Sequence, residues 1–144
     1  MRLEHVVDLD LRYEGEYTIV HPYGGADGVG YAAGRGTAAG ERVAGAVRFS
    51  NNPRVRGDGN LLADLAGVIE AEDGARVVFS VTGLGRRRGR EVDVAGGVFF
   101  ECDDDRYAWL NGAFCVAEAC VRGRHVTMRV YECVTERGAE GGCA

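Results

Sequence analysis

The chain has 144 residues, is 46% hydrophobic and 27% charged, and carries a formal net charge of −5. That is the length of one domain. The composition excludes a disordered polymer, and the acidic balance argues against a nucleic-acid partner, which needs a basic footprint. All 17 Lys/Arg positions are Arg, a bias that reads as genome composition rather than function.

No stretch approaches the roughly 18 apolar residues of a membrane helix, and Met1 to His5 lacks the pattern of a secretory leader. A cytoplasmic protein, with no membrane partner, is expected. The five cysteines (Cys102, Cys115, Cys120, Cys133 and Cys143) form no CxxC pair. They read as reduced thiols, and no metal site or cofactor is expected.

The dominant period is two. Val7 to Arg12 alternates apolar and charged residues, the signature of a half-buried strand. Tyr17 to His21 reads as a second short run, ended by Pro22. Val29 to Thr37 reads as a strand interrupted by Gly30, Gly34 and Gly36, where glycines mark bends or close backbone approach. Arg42 to Phe49 follows. Ser50 to Asn60 is rich in turn formers and reads as a polar loop.

Leu61 to Glu72 fits either period, but Asp73-Gly74 between β-like flanks marks a tight hairpin into Arg76 to Phe79. Arg86 to Arg90 reads as a basic loop, Val92 to Cys102 as a strand, and Asp103 to Asp105 as an acidic turn. The Trp, Phe, Cys and Val content of Tyr107 to Val121 predicts a long strand. Arg122 to Arg124 turns the chain into His125 to Val134. Residues 1–135 are expected to form a single domain and the Gly-rich segment 136–144 a flexible tail.

The expected architecture is all-β: an antiparallel, up-and-down barrel of about 8–10 strands. The 23 glycines favour a barrel over a sandwich, because tight closure uses glycine bends. Tyr31 to Thr37, Gly40 to Gly45, Asp58-Gly59 and Gly67 to Ala75 together resemble a bacterial family of small β-barrels of unknown function, numbered three-two-three-seven. The resemblance spans roughly residues 5 to 134. It implies a calycin-like or allene-oxide-cyclase-like barrel and supplies no catalytic set.

A barrel of this size holds one small ligand in its mouth. Glu70 and Glu118 sit mid-strand among apolar neighbours, where burial raises a carboxyl pKa toward general acid–base use. His21, beside a strand end, is the natural group titrating near neutrality. These three are the catalytic candidates. Arg35 and Arg48 are candidates for binding a carboxylate or enolate. Asp58 and Asp64 are candidates for orienting a ligand hydroxyl. Tyr107, Trp109 and Asn111, on one face of the expected strand, suit a flat ligand. Tyr31 completes the binding set. The structural alternative for each is an outward position, with the charges in cross-strand ion pairs.

Function is expected to be binding of a small hydrophobic or aromatic molecule, extending to a cofactor-independent cyclase or isomerase of secondary metabolism. Two alternatives stand beside it. One is a non-catalytic hydrophobic-ligand carrier. The other is a protein-interaction module with a filled barrel, as in a homodimer.

Overall fold

The computed structural model describes residues 1–139. Nine strands are present: β1 (Arg2–Val20), β2 (Gly28–Ala39), β3 (Gly45–Asn51), β4 (Arg54–Val55), β5 (Leu61–Ala71), β6 (Arg76–Arg88), β7 (Glu91–Glu101), β8 (Cys115–Arg122) and β9 (His125–Val134). All pairings are antiparallel. The sheet runs β1-β9-β8-β7-β6-β5-β3-β2, and β1 pairs with β2 to close it. Eight strands therefore form the barrel, and short β4 bridges β2 and β5 at one rim. Among the described residues no helix is long and apolar enough to cross a membrane.

Alternation decides what faces inward. Val7, Leu9, Leu11 and Tyr13 of β1 are all buried, while Arg12 and Glu14 are exposed. The interior is filled by matching size across strands. In register around the wall lie Tyr13, Gly34, Phe49, Gly67, Phe79 and Phe100. Rings and glycines alternate over most of this row, so each ring lies over a neighbour with no side chain of its own. A Cβ on Gly67 would sit 2.7 Å from Cζ of Phe79 and 2.6 Å from the Arg48 carbonyl oxygen. Close packing admits no such atom without a shift.

Several local expectations are corrected. β1 is one strand of 19 residues that includes Tyr17 to Val20. Its pairing with β2 shifts between Glu14 and Thr18, around Gly15 at φ +72°. The polar loop is partly ordered as sheet: β3 runs through Ser50 to Asn51, and Arg54–Val55 form β4. In the Asp73-Gly74 hairpin only Gly74 takes positive φ, 91°. Its bonds, Gly74 N–H to Ala71 O and Ala71 N–H to Ala75 O, give a three-residue loop rather than a primed two-residue turn. Of the expected tail, Glu136–Ala139 form one helical turn; positions 140–144 lie outside the described residues.

The largest correction concerns Tyr107 to Val121. Asp105–Gly112 is a 3₁₀ helix, and the strand begins only at Cys115. Asp104 accepts from the Arg106 N–H at 2.9 Å, an N-cap that starts the helix and overrides the β-like composition. Tyr107 and Leu110 then share its buried face. This helix plugs one end of the barrel. The Tyr107 hydroxyl donates to Asp73 at 2.6 Å. The Asn111 amide clasps the Cys102 backbone, accepting from its N–H at 2.7 Å and donating to its carbonyl at 2.8 Å. The Arg42 guanidinium lies 3.5 Å from the centre of the Trp109 ring.

The ring–glycine row makes a direct prediction. Gly67→Ala should cost about 2 kcal/mol or more of stability, as overpacking does. Gly97→Ala, where a Cβ meets nothing within 4 Å, should leave stability nearly unchanged. Urea denaturation of both variants reads the difference, and equal costs would refute the packing account.

Candidate active site

With one end plugged, the opposite end is the mouth. It holds a cavity of about 270 Å³, walled by apolar residues that include Ile19, Leu61, Ala63, Val92, Val94 and Val121. Three kinds of polar group line it: the Tyr13 and Tyr17 phenols, the Asn51 amide, and the Arg87 and Arg90 side chains.

Asn51 is the one buried polar residue in the core of the described chain, 8% exposed. Alternation after Val47 and Phe49 brings it inward. Its orientation is fixed by chemistry. The Asp64 backbone N–H can only donate, and it donates to Asn51 Oδ1 at 3.2 Å. Nδ2 must then face Tyr13, and it donates to the phenol oxygen at 3.0 Å. The Tyr13 hydroxyl proton is thereby left to be donated elsewhere.

Tyr13 packs against Tyr17 and Phe49, with ring centres 5.4 and 5.3 Å away. Burial raises the pKa of Tyr13, against a smaller lowering by the Asn51 hydrogen bond. Burial pushes Tyr17 up to about 12, assisted by Tyr13 and opposed by the positive charge of Arg87. Both phenols are protonated donors at neutral pH.

None of the eleven catalytic and binding candidates lines this cavity, although two arginines of the expected basic loop, Arg87 and Arg90, do. Glu70 is exposed and paired with Arg48 at 2.7 Å. Glu118 is exposed on the outer wall, in register with Arg129. His21 is exposed, its Nδ1 3.2 Å from the Asp27 carbonyl oxygen. Tyr31 is exposed beside the register partner Thr18. Arg35 pairs with Glu14 at 2.8 Å. Asp58 binds Arg56 and the Asn60 N–H in an exposed turn. Asp64 is exposed and faces outward, opposite Thr82. Tyr107, Trp109 and Asn111 belong to the plug, at the far end from the mouth. Arg48 and Asn111 border one open groove on the outer wall, together with Val78 and Glu101.

One cluster among the described residues has metal-type ligands: Glu91, Asp93 and Cys120. Arg88 reaches both carboxylates, at 3.0 and 2.7 Å, and Arg122 reaches Glu91 at 2.9 Å. Their charge is balanced without an ion. His5 and His125 are likewise engaged, with Asp8 and Asp10, each at 2.7 Å.

The residues missed by sequence reading were signalled by the same alternation that identified the strands. Tyr13 is the next inward step after Val7, Leu9 and Leu11. Arg87 is the next inward step after Gly83 and Gly85.

No curated protein matches the chain. Solved structures do. A β-barrel-like protein from Acinetobacter baumannii aligns with a TM-score of 0.82 at 18% identity, covering 91% of this chain and 94% of its own. A protein of unknown function from Clostridium acetobutylicum gives 0.82 at 17%, covering 92% and 99%. An enzyme from Penicillium herquei gives 0.65 at 22%, covering 91% and 94%. At these identities the likeness is one of fold. The family described as "Protein of unknown function (DUF3237)" matches residues 1–133. The chain, an eight-stranded closed barrel with one end plugged and one end hollow, belongs to that family.

Proposed function

We propose that the barrel binds a small, largely apolar molecule at its open end and acts on it as a cofactor-independent cyclase or isomerase. The observation that carries this reading is the oriented Tyr13–Asn51 pair in an otherwise apolar cavity. A buried phenol with its proton held free is a donor for a ligand carbonyl or a developing oxyanion. Arg87 adds positive charge on the same side. The apolar walls would hold a reactive chain in one folded shape, which lowers the entropic part of the barrier.

Cyclisation and isomerisation conserve atoms and electrons, so orientation and one hydrogen-bond donor are a sufficient set of tools. The Penicillium herquei enzyme has the same fold, and that analogy supports an enzymatic reading without naming a reaction. Glu70, Glu118 and His21 have no part in this proposal, because each faces outward.

The carrier reading is favoured by a separate observation. No carboxylate and no imidazole lines the cavity, so no side chain with an ordinary pKa near neutrality is available as a base. An interaction module with a filled barrel gains no support from a hollow mouth.

Native mass spectrometry separates the readings. After incubation with a small-molecule extract of the producing organism, the wild-type protein should retain a ligand mass, and Ala63→Trp, which fills the cavity, should not. Cyclisation and isomerisation leave the mass unchanged, so the retained ligand is released and chromatographed: conversion with time to an isomer of different retention in the wild type, but not in Tyr13→Phe, identifies the enzyme. Recovery of the ligand chemically unchanged identifies the carrier. No retained mass overturns both.

The phenols give a second test. Their pKa values are raised above the ordinary 10.0, so the stability they confer is complete below pH 10 and is lost as pH rises toward 12. Tyr17→Phe should remove an ionisation near 12 from the phenolate absorbance titration and flatten the alkaline loss of stability. Loss of an ionisation near the ordinary 10.0 instead would place Tyr17 outside the cavity wall.

A further inference from the structure

The cavity differs in charge from the rest of the molecule. The chain has 22 acidic and 17 basic residues, yet two arginines and no carboxylate line the mouth. Elsewhere several arginines are answered by acids, among them Arg48 by Glu70, Arg56 by Asp58, and Arg106 by Asp73 and Asp104, and Arg42 lies over the Trp109 ring. The neighbours Arg87 and Arg88 show the contrast within one strand. Arg88 lies on the outer face and is absorbed by Glu91 and Asp93. Arg87, one residue earlier, follows Gly83 and Gly85 on the inner face and is in register with Val92. Among the described residues its side chain makes one hydrogen bond, from Nε to the Gly59 carbonyl oxygen at 3.2 Å. Arg90, in the adjoining turn, has neither an ion pair nor a hydrogen bond among the described residues.

We infer that the ligand of this cavity is an apolar carboxylic acid, held tail-inward with its carboxylate on Arg87 and Arg90. The inference rests on the binding function proposed above and names its ligand class. Both guanidiniums stand at the exposed rim, where they keep their hydration until an anion arrives. A guanidinium fork matches a carboxylate in two parallel charge-assisted bonds. Below the rim, Leu61, Ala63 and Val94 offer only hydrocarbon. An acid that enters tail-first buries its apolar body and leaves its charge where the arginines are. Neutral molecules leave that charge unanswered, so the site selects by head group as well as by shape.

The test uses a panel of aryl and alkyl acids, naphthylacetate among them, each paired with its methyl ester. Dissociation constants are measured on the full chain by calorimetry and by amide chemical shifts. The acid of a pair should bind about tenfold more tightly than its ester, and the preference should shrink as salt rises. Arg87→Gln and Arg90→Gln should each reduce the preference, and the double variant should abolish it. Arg86→Gln, on the outer face, should preserve it. Esters that bind as tightly as their acids, with the double variant indifferent, would overturn the inference and leave the cavity's binding role standing. No member of the panel binding, or binding unaffected by Ala63→Trp, would overturn the binding role as well.

Discussion

Everything in this barrel depends on the spacing between rings and glycines around its wall. Tyr13, Phe49 and Phe79 each reach inward over a strand that offers Gly34 or Gly67 in register. A narrow barrel has no room for a large side chain on every strand of one level. Omitting the side chain on alternate strands lets the neighbouring backbones approach and lets the rings interdigitate. The hydrophobic effect supplies the driving force, but the glycines decide that this sequence closes rather than spreading into a flat sheet.

The same device makes the two ends unlike. Near the plug, Phe79 and Phe100 meet directly, and Tyr107 and Leu110 of the 3₁₀ helix seal what remains. Toward the mouth the inward positions become small, with Gly83, Gly85, Ala63 and Gly96 on adjoining strands. Among the described residues no helix lines this hollow. The hollow is thus a continuation of the packing rule, with small residues that no ring comes to fill. Asn51 sits at the boundary between the filled and hollow parts. Asn51 is the one buried polar residue of the described core; its Oδ1 accepts from the Asp64 N–H and its Nδ2 donates to Tyr13.

Much of the fold was legible in the sequence. Period-two alternation, turn glycines and the Asp73-Gly74 hairpin gave an antiparallel meander and its closure. The site was less legible, for two physical reasons. Alternation was read in segments and stopped at Arg12, Phe49 and Phe79, short of Tyr13, Asn51 and Arg87. Turn-forming composition around Asn51, and charge around Arg87, masked a pattern that continued through both. The second reason is distance along the chain. Asn51 acquires its role from a tyrosine 38 residues away, and Glu70 loses its supposed one to Arg48 on the next strand. The 3₁₀ plug was hidden differently: its aromatic content reads as strand, and only the Asp104 cap says otherwise.

The closing seam has a consequence for how the molecule is made. β1 pairs on one side with β9, as Arg2 with Val134 and Leu11 with Val126. Within the barrel β1 is made before β9, so one flank of β1 stays an open edge until β9 has been synthesised. Edges of this kind invite pairing with other chains. Here that flank carries His5, Asp8, Asp10 and Arg12 on its outer face, polar side chains that keep an unpaired strand in solution. The charges that later form ordinary surface pairs with Arg129 and His125 thus serve first as the guard of an unfinished barrel.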